Sequence, residues 1–129
     1  MYEYKAKLDR VIDGDTIDVN MDLGFDITIK KRIRLAGINS PESRTRDLEE
    51  KKRGLASRDR LIELLDKGSL VIESNEVGKY GRVLGTLYVY PGDKLPININ
   101  ETLVKEGHAV EYWGGKKKKK WIYLKTIMI

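Results

Sequence analysis

The sequence predicts a mainly β chain of the α+β class, folded as a small β-barrel with helices packed on it. Five short segments have alternating or β-branched residues and are bounded by turn residues, which is typical of antiparallel strands. Two other segments have the spacing and end signals of amphipathic helices. The order strand, strand, strand, helix, strand, strand, helix lacks the regular strand and helix alternation of a parallel sheet, so it favours a barrel.

The first three strands are predicted at residues 8–12, 16–22 and 27–35. Asp13-Gly14-Asp15 joins the first two, and we expect Gly14 to supply an unusual φ angle there. Residues 22–26 would close the second hairpin, with a turn type that the sequence leaves open.

A helix of at most about five turns is predicted over residues 47–66, because Leu55, Ile62 and Leu65 recur at helical spacing. Gly68 follows as a stop signal. Strand composition returns at residues 69–73 and 83–90. A short second helix follows, with Asn98 as its N-cap, an acid three residues later and a stop at Gly107.

The 129 residues suit one compact domain, which we place at residues 1–113, followed by a basic tail at 114–129. Residues 116–129 carry six lysines and no acid, whereas the remainder carries 19 Lys and Arg against 20 Asp and Glu. Affinity for a polyanion must therefore come from local clusters, such as Lys116 to Lys120, rather than from a uniformly basic surface.

Cysteine is absent and there is one histidine, which excludes disulfides and thiolate metal sites and leaves a hard metal with oxygen ligands as the metal class to consider. The first residues have no apolar signal segment, and no apolar run is long enough to span a bilayer. We therefore expect an intracellular (cytoplasmic) protein that does not bind a membrane and has no obligate protein partner.

Residues 34–42 read Arg-Leu-Ala-Gly-Ile-Asn-Ser-Pro-Glu, a strand that leads into a loop stiffened by Pro41. Such a loop can direct the Asn39 side-chain oxygen and the Ser40 carbonyl toward one point, with Glu42 beyond them. This arrangement suits a cation with a water molecule beside it, because calcium accepts carboxylate, amide and carbonyl oxygens together.

A phosphodiester hydrolase needs an activated water and cationic groups for the charge that develops on the phosphoryl oxygens. Glu42 could be the base, while Arg34 and Arg82 could bind the phosphate through their planar guanidinium groups. Each of these residues also has an ordinary structural interpretation. Asp15 fits a simple turn, Arg34 an exposed strand charge, and Glu42 and Arg82 surface charges at strand or loop ends.

Four segments occur together in one order: Val-Ile-Asp-Gly-Asp-Thr, Arg-Leu-Ala-Gly-Ile before Pro-Glu, Lys-Tyr-Gly-Arg, and Asn-Glu-x-Leu-Val-x-x-Gly. Through them the chain resembles the staphylococcal nuclease-like (thermonuclease) domain over residues 8–113. The resemblance implies a five-stranded OB-type Greek-key barrel with two or three packed helices. It also implies calcium-dependent hydrolysis of DNA and RNA.

The resemblance further implies a role for each matching residue. The metal ligands would be Asp15, the Asn39 side chain and the Ser40 carbonyl. The catalytic residues would be Glu42, as general base, and Arg34 and Arg82, which would bind the phosphate. The residues in contact with the nucleotide would be Lys79, Tyr80 and Tyr112. The family's second metal aspartate is replaced here by Asn39. An alternative is therefore a catalytically weakened or inactive nucleic-acid-binding module on the same barrel.

Overall fold

The computed structural model describes residues 2–77 and 83–112. The strands are β1 (Tyr2–Asp13), β2 (Thr16–Asp22), β3 (Thr28–Leu35), β4 (Ile38–Asn39), β5 (Ser69–Val77), β6 (Val83–Tyr90), β7 (Ile97–Asn98) and β8 (Val110–Glu111), and the helices are α1 (Leu48–Leu65) and α2 (Ile99–Lys105). The basic tail lies outside these residues, so the division after residue 113 stays a prediction.

The five long strands close into a barrel. β1 pairs antiparallel with both β2 and β5, β2 pairs with β3, and β5 pairs with β6. A parallel pairing between β3 and β6, with Ile33 opposite Val83 and Leu35 opposite Gly85, joins the two ends of the sheet. Together with α1 and α2, this closed sheet confirms the prediction of a five-stranded OB-type barrel of the α+β class.

β1 is longer than the predicted strand at residues 8–12. Its residues 2–6 pair with β5 and its residues 6–13 pair with β2, so one strand serves two partners. The alternation of Tyr2, Tyr4 and Ala6 with charged residues was the sequence signal for this extension, and Tyr4 and Ala6 pack against the core. The barrel interior is filled by fully buried aliphatic side chains, among them Ile17, Val19, Ile33, Leu35, Ile72, Leu87 and Val89.

Both helices begin where the sequence predicts. The Asp47 side chain accepts hydrogen bonds from the backbone N–H groups of Glu49 and Glu50, at 3.0 and 3.2 Å, and so caps α1. Asn98 accepts from the N–H of Glu101 at 3.1 Å and caps α2. Each cap satisfies backbone donors that have no partner inside the helix. No helix within residues 2–77 and 83–112 is long and apolar enough to cross a membrane.

The buried face of α1 differs from the predicted one. Of the three predicted apolar positions, Leu65 is buried, as expected, whereas Leu55 and Ile62 are exposed; the other buried residues of the helix are Gly54, Ser57, Leu61 and Leu64. Small residues occupy the part of the face where the helix comes closest to neighbouring backbone, and a search for apolar periodicity overlooks them. Gly68, predicted as a stop signal, is also a close-approach residue, since a Cβ there would lie 2.1 Å from the carbonyl oxygen of Tyr90.

Candidate active site

Asp15 occupies the turn between β1 and β2, and its carboxylate is held by hydrogen bonds on both oxygens. Oδ1 accepts from the Thr16 hydroxyl at 3.0 Å, and Oδ2 accepts from the backbone N–H of Ser40 at 2.9 Å. The backbone carbonyl of Asp15 accepts from the N–H of Leu35 at 2.9 Å. These bonds join the β1–β2 turn to the end of β3 and to the loop after β4, so they bring together segments 20 or more residues apart.

Gly14 is required for space rather than for an unusual backbone angle, which corrects the sequence-based expectation. Its φ lies outside the left-handed region. A Cβ at this position would lie 2.7 Å from the Cβ of Ser57 and 2.9 Å from the Cβ of Ser40. The turn that carries Asp15 is therefore pressed between α1 and the Ser40 loop, at a distance that a larger side chain would not permit.

Arg34 is largely buried, with 15% of its side chain exposed, and it binds acceptors on two sides. NH1 donates to the carbonyl oxygen of Leu35 at 2.9 Å, and NH2 donates to Oδ1 of Asn39. NH2 also lies 3.6 Å from Oδ2 of Asp15. The guanidinium therefore lies between Asp15 and Asn39, two of the three predicted metal ligands. The Asn39 oxygen was expected to face a cation, but it faces Arg34 instead.

Asn39 and Ser40 are buried at the floor of the site. Asn39 lies in β4, whose short pairing with β8 places it opposite Val110. Among the described residues, Nδ2 of Asn39 and Oγ of Ser40 are buried without a hydrogen-bond partner. Buried polar atoms without a partner are uncommon in folded proteins, because each leaves a desolvated group uncompensated; Nε of Arg53 and of Arg58 in α1 are two further cases.

Glu42 is exposed at the mouth of the site, on a loop that α1 supports closely. Its backbone N–H donates to Oε2 of Glu50 at 3.1 Å. Gly54 packs directly on the same loop, since a Cβ there would lie 2.4 Å from the carbonyl oxygen of Glu42. The position of Glu42 therefore depends on two residues of α1.

These segments enclose a cleft of about 500 Å³. Six predicted site residues line it, namely Asp15, Arg34, Asn39, Ser40, Glu42 and Tyr112, and so do Asp13, Thr16, Pro41 and Arg44. The other three predicted residues, Lys79, Tyr80 and Arg82, lie outside the described residues.

Asp13 and Thr16 lie in the first sequence motif, but sequence reasoning gave neither a role. Asp13 accepts a hydrogen bond from the hydroxyl of Ser43, which lies three residues past Ser40. Their nearness to Asp15 in the first motif was the sequence signal that could have indicated a place in the site for both residues.

Several known proteins are similar to this chain. The family described as staphylococcal nuclease homologue matches residues 32–126. Micrococcal nuclease of Shigella flexneri is 37% identical over 114 residues, covering 85% of this chain and 59% of that protein. The SPbeta prophage-derived endonuclease YokF of Bacillus subtilis (strain 168) is 35% identical over 105 residues, covering 79% of this chain and 32% of that protein.

Endonuclease YhcR of the same organism is 31% identical over 119 residues, which is 86% of this chain but 9% of that protein. The chain therefore spans about half or less of the length of these relatives. The family model nevertheless matches most of the chain and includes the last three of the four motifs, and the chain belongs to the family of staphylococcal nuclease homologues.

Proposed function

We propose that this chain is a nuclease that hydrolyses phosphodiester bonds of DNA or RNA with the help of a divalent cation. One observation carries the proposal: a carboxylate at the floor of a cleft, a largely buried arginine beside it and a glutamate at its mouth line the same space. Relatives named micrococcal nuclease and endonuclease support this class of reaction.

The cation is proposed to bind to the Asp15 carboxylate, the Asn39 amide oxygen and the Ser40 carbonyl. These are hard oxygen donors, which suit calcium. Among residues 2–77 and 83–112, no group of three or more acidic, histidine or cysteine side chains could hold a metal ion. Arg34 already binds Asn39 Oδ1 and lies near Asp15. The donor set therefore fits calcium in kind, but with a single strong anionic ligand, so we expect weak binding that relies partly on the substrate phosphate.

A bound cation would supply positive charge at the phosphate and lower the pKa of a nearby water molecule. In the proposed reaction Glu42 accepts the proton of the attacking water, because its loop places it at the open side of the cleft, where water enters.

Arg34 is proposed to bind the phosphoryl oxygens. Its bonds to Leu35 and Asn39 fix the guanidinium plane, and each terminal nitrogen carries a second hydrogen that can donate to an anion. A charge fixed in advance needs little reorganisation when negative charge develops on phosphorus oxygens. We further propose that Arg82 is the second arginine that binds the phosphate. Lys79, Tyr80 and Tyr112 are proposed to contact the nucleotide.

The test is cleavage of single-stranded DNA and of RNA by the purified protein, in calcium and then in chelator, compared with the Glu42→Gln variant. We expect chelator to abolish cleavage and the substitution to lower the rate by roughly 10² to 10⁴ while leaving binding intact. Glu63→Gln makes the same chemical change on an exposed part of α1 and should cleave normally. Cleavage that survives chelator, or equal rates for both variants, would overturn the mechanism.

A nucleic-acid-binding module without turnover is the second candidate, and it is favoured by the hydrogen bond that engages the Asn39 oxygen with Arg34. Such a module would bind oligonucleotides in chelator and leave them uncleaved at saturating calcium. The same experiment therefore separates the two candidates.

A further inference from the structure

A second pair of arginines lies on the outer face of the barrel, where both bind the carboxylate of Asp18. Arg32 donates from Nε to Oδ1 at 2.8 Å and from NH2 to Oδ2 at 3.2 Å. Arg10 donates from Nε to Oδ2 at 3.0 Å. The Asp18 side chain is 8% exposed, whereas those of Arg10 and Arg32 are 63% and 45% exposed.

A β-bulge in β1 creates this arrangement. Leu8 pairs with Val19 and Arg10 pairs with Asp18, so one extra residue of β1 lies between the two pairs. With regular pairing, Arg10 would lie opposite Ile17, whose side chain is fully buried in the core. Since paired residues share a face of the sheet, the bulge is what turns Arg10 outward and toward Asp18.

The pair of arginines lies next to the candidate active site. Arg32 and Arg34 are two positions apart in β3, opposite Asp18 and Thr16 of β2, so they are on the same face of the sheet. Two residues of an extended strand span about 6.6 Å. This separation is comparable to that between neighbouring phosphates along an extended nucleic acid strand.

The charge of the cluster favours an anion. One carboxylate neutralises one of the two arginines and leaves a net charge of +1 on these three side chains. The pKa of Asp18 is lowered to about 2, mainly by its hydrogen bond with Arg32, so the carboxylate stays ionised and keeps both guanidinium groups in place. The bonds to Asp18 use Nε of Arg10 and Nε and NH2 of Arg32, so both terminal nitrogens of Arg10 and NH1 of Arg32 can donate to the oxygens of a phosphate.

We propose that Arg10 and Arg32 form a phosphate-binding subsite for the nucleic acid phosphate next to the one held at Arg34, with Asp18 as their positioning residue. The proposal rests on the proposed function, because its ligand is the backbone of that same substrate. It predicts that the protein distinguishes substrates by length, since a dinucleotide has one internal phosphate and cannot occupy both positions.

The test uses Arg10→Gln, which leaves Asp18 both hydrogen bonds from Arg32 and so should preserve the fold. Binding of a fluorescent single-stranded DNA decamer is measured in chelator over a series of salt concentrations, and binding of a dinucleotide is measured in parallel. We expect the variant to bind the decamer about fivefold more weakly at low salt, which is a typical upper value for an exposed charge pair. Its slope of log K against log salt should fall by about 0.7, for one lost phosphate contact.

Dinucleotide binding should stay unchanged, and Arg10→Lys should recover most of the salt slope. Arg60→Gln is the matched control, because Arg60 also binds a carboxylate, that of Glu106 at 2.6 Å, but it joins α1 to α2 and is not on the sheet face that carries Arg32 and Arg34. If the unmodified protein binds the decamer but Arg10→Gln and Arg60→Gln have equal slopes of log K against log salt, the subsite is overturned and the proposed function is not. Failure of the unmodified protein to bind the decamer would overturn the proposed function together with it.

Discussion

The side-chain oxygen of Asn39 accepts a hydrogen bond from NH2 of Arg34, and this bond joins β3 to β4 at the floor of the cleft. The same guanidinium nitrogen lies 3.6 Å from the Asp15 carboxylate. One arginine therefore supplies positive charge at the place where the family resemblance implies a calcium ion. The residue that departs from the family pattern, an amide in place of a carboxylate, is the one that binds this arginine.

Asn39→Asp should tighten calcium binding, because a second carboxylate would face the ion while Arg34 neutralises part of the added charge. We expect an affinity gain of about tenfold, as measured by calorimetric titration with calcium. Asn20→Asp is the control, since it adds the same charge at an exposed position of β2. Identical titrations for the two variants would place Asn39 outside the ligand set.

Gly54→Ala tests the support that α1 gives to Glu42. Alanine at an exposed helix position stabilises a helix by about 0.5 to 1 kcal/mol relative to glycine. Here the opposite sign is expected, with a loss of about 1 to 3 kcal/mol in the free energy of unfolding, because the new Cβ would meet the Glu42 carbonyl at 2.4 Å.

Urea denaturation measures this loss, and cleavage by the folded variant should fall as the Glu42 loop shifts. Asp59→Ala, at an exposed position of the same helix, should leave both properties nearly unchanged. A Gly54→Ala protein as stable and active as the unmodified one would show that the loop moves freely relative to α1.

Asp18 should make the stability of the protein depend on pH in the acid range. Its pKa is lowered from 3.8 to about 2 in the folded state, so its ionised form stabilises the fold above about pH 4. This contribution is lost as the pH falls toward 2. Because its arginine partners are well exposed to solvent, we expect about 1 kcal/mol.

The measurement is the free energy of unfolding of the unmodified protein and of Asp18→Asn between pH 2 and 6. The difference between the two should be largest above pH 4 and should shrink toward pH 2. Asp59→Asn, which makes the same change at an exposed position of α1, is the control. A difference that is constant over the whole range would contradict the assigned ion pairs.

The sequence predicted the elements whose signals are local. The N-cap Asn98 was predicted because it acts on a backbone group three residues away, and the predicted start of α1 at residue 47 coincides with its observed N-cap, Asp47. β2 and β6 have the predicted bounds, because their alternating or β-branched residues lie between turn residues along the chain. The two-residue strands β4 and β8 were missed, since their pairing joins residues about 70 positions apart and leaves no local pattern.

The sequence by itself determined the mainly β architecture, the family motifs and the set of residues with suitable chemistry for a nuclease, because these depend on side-chain type and local order. Tertiary structure alone decided which of these residues lie close together. It placed Arg34 between Asp15 and Asn39, pressed Gly14 and Gly54 against the loops of the site, and used a bulge to direct Arg10 toward Asp18. Such relations arise from close packing and strand register, which bring distant residues together and cannot be read from either partner's neighbours in the chain.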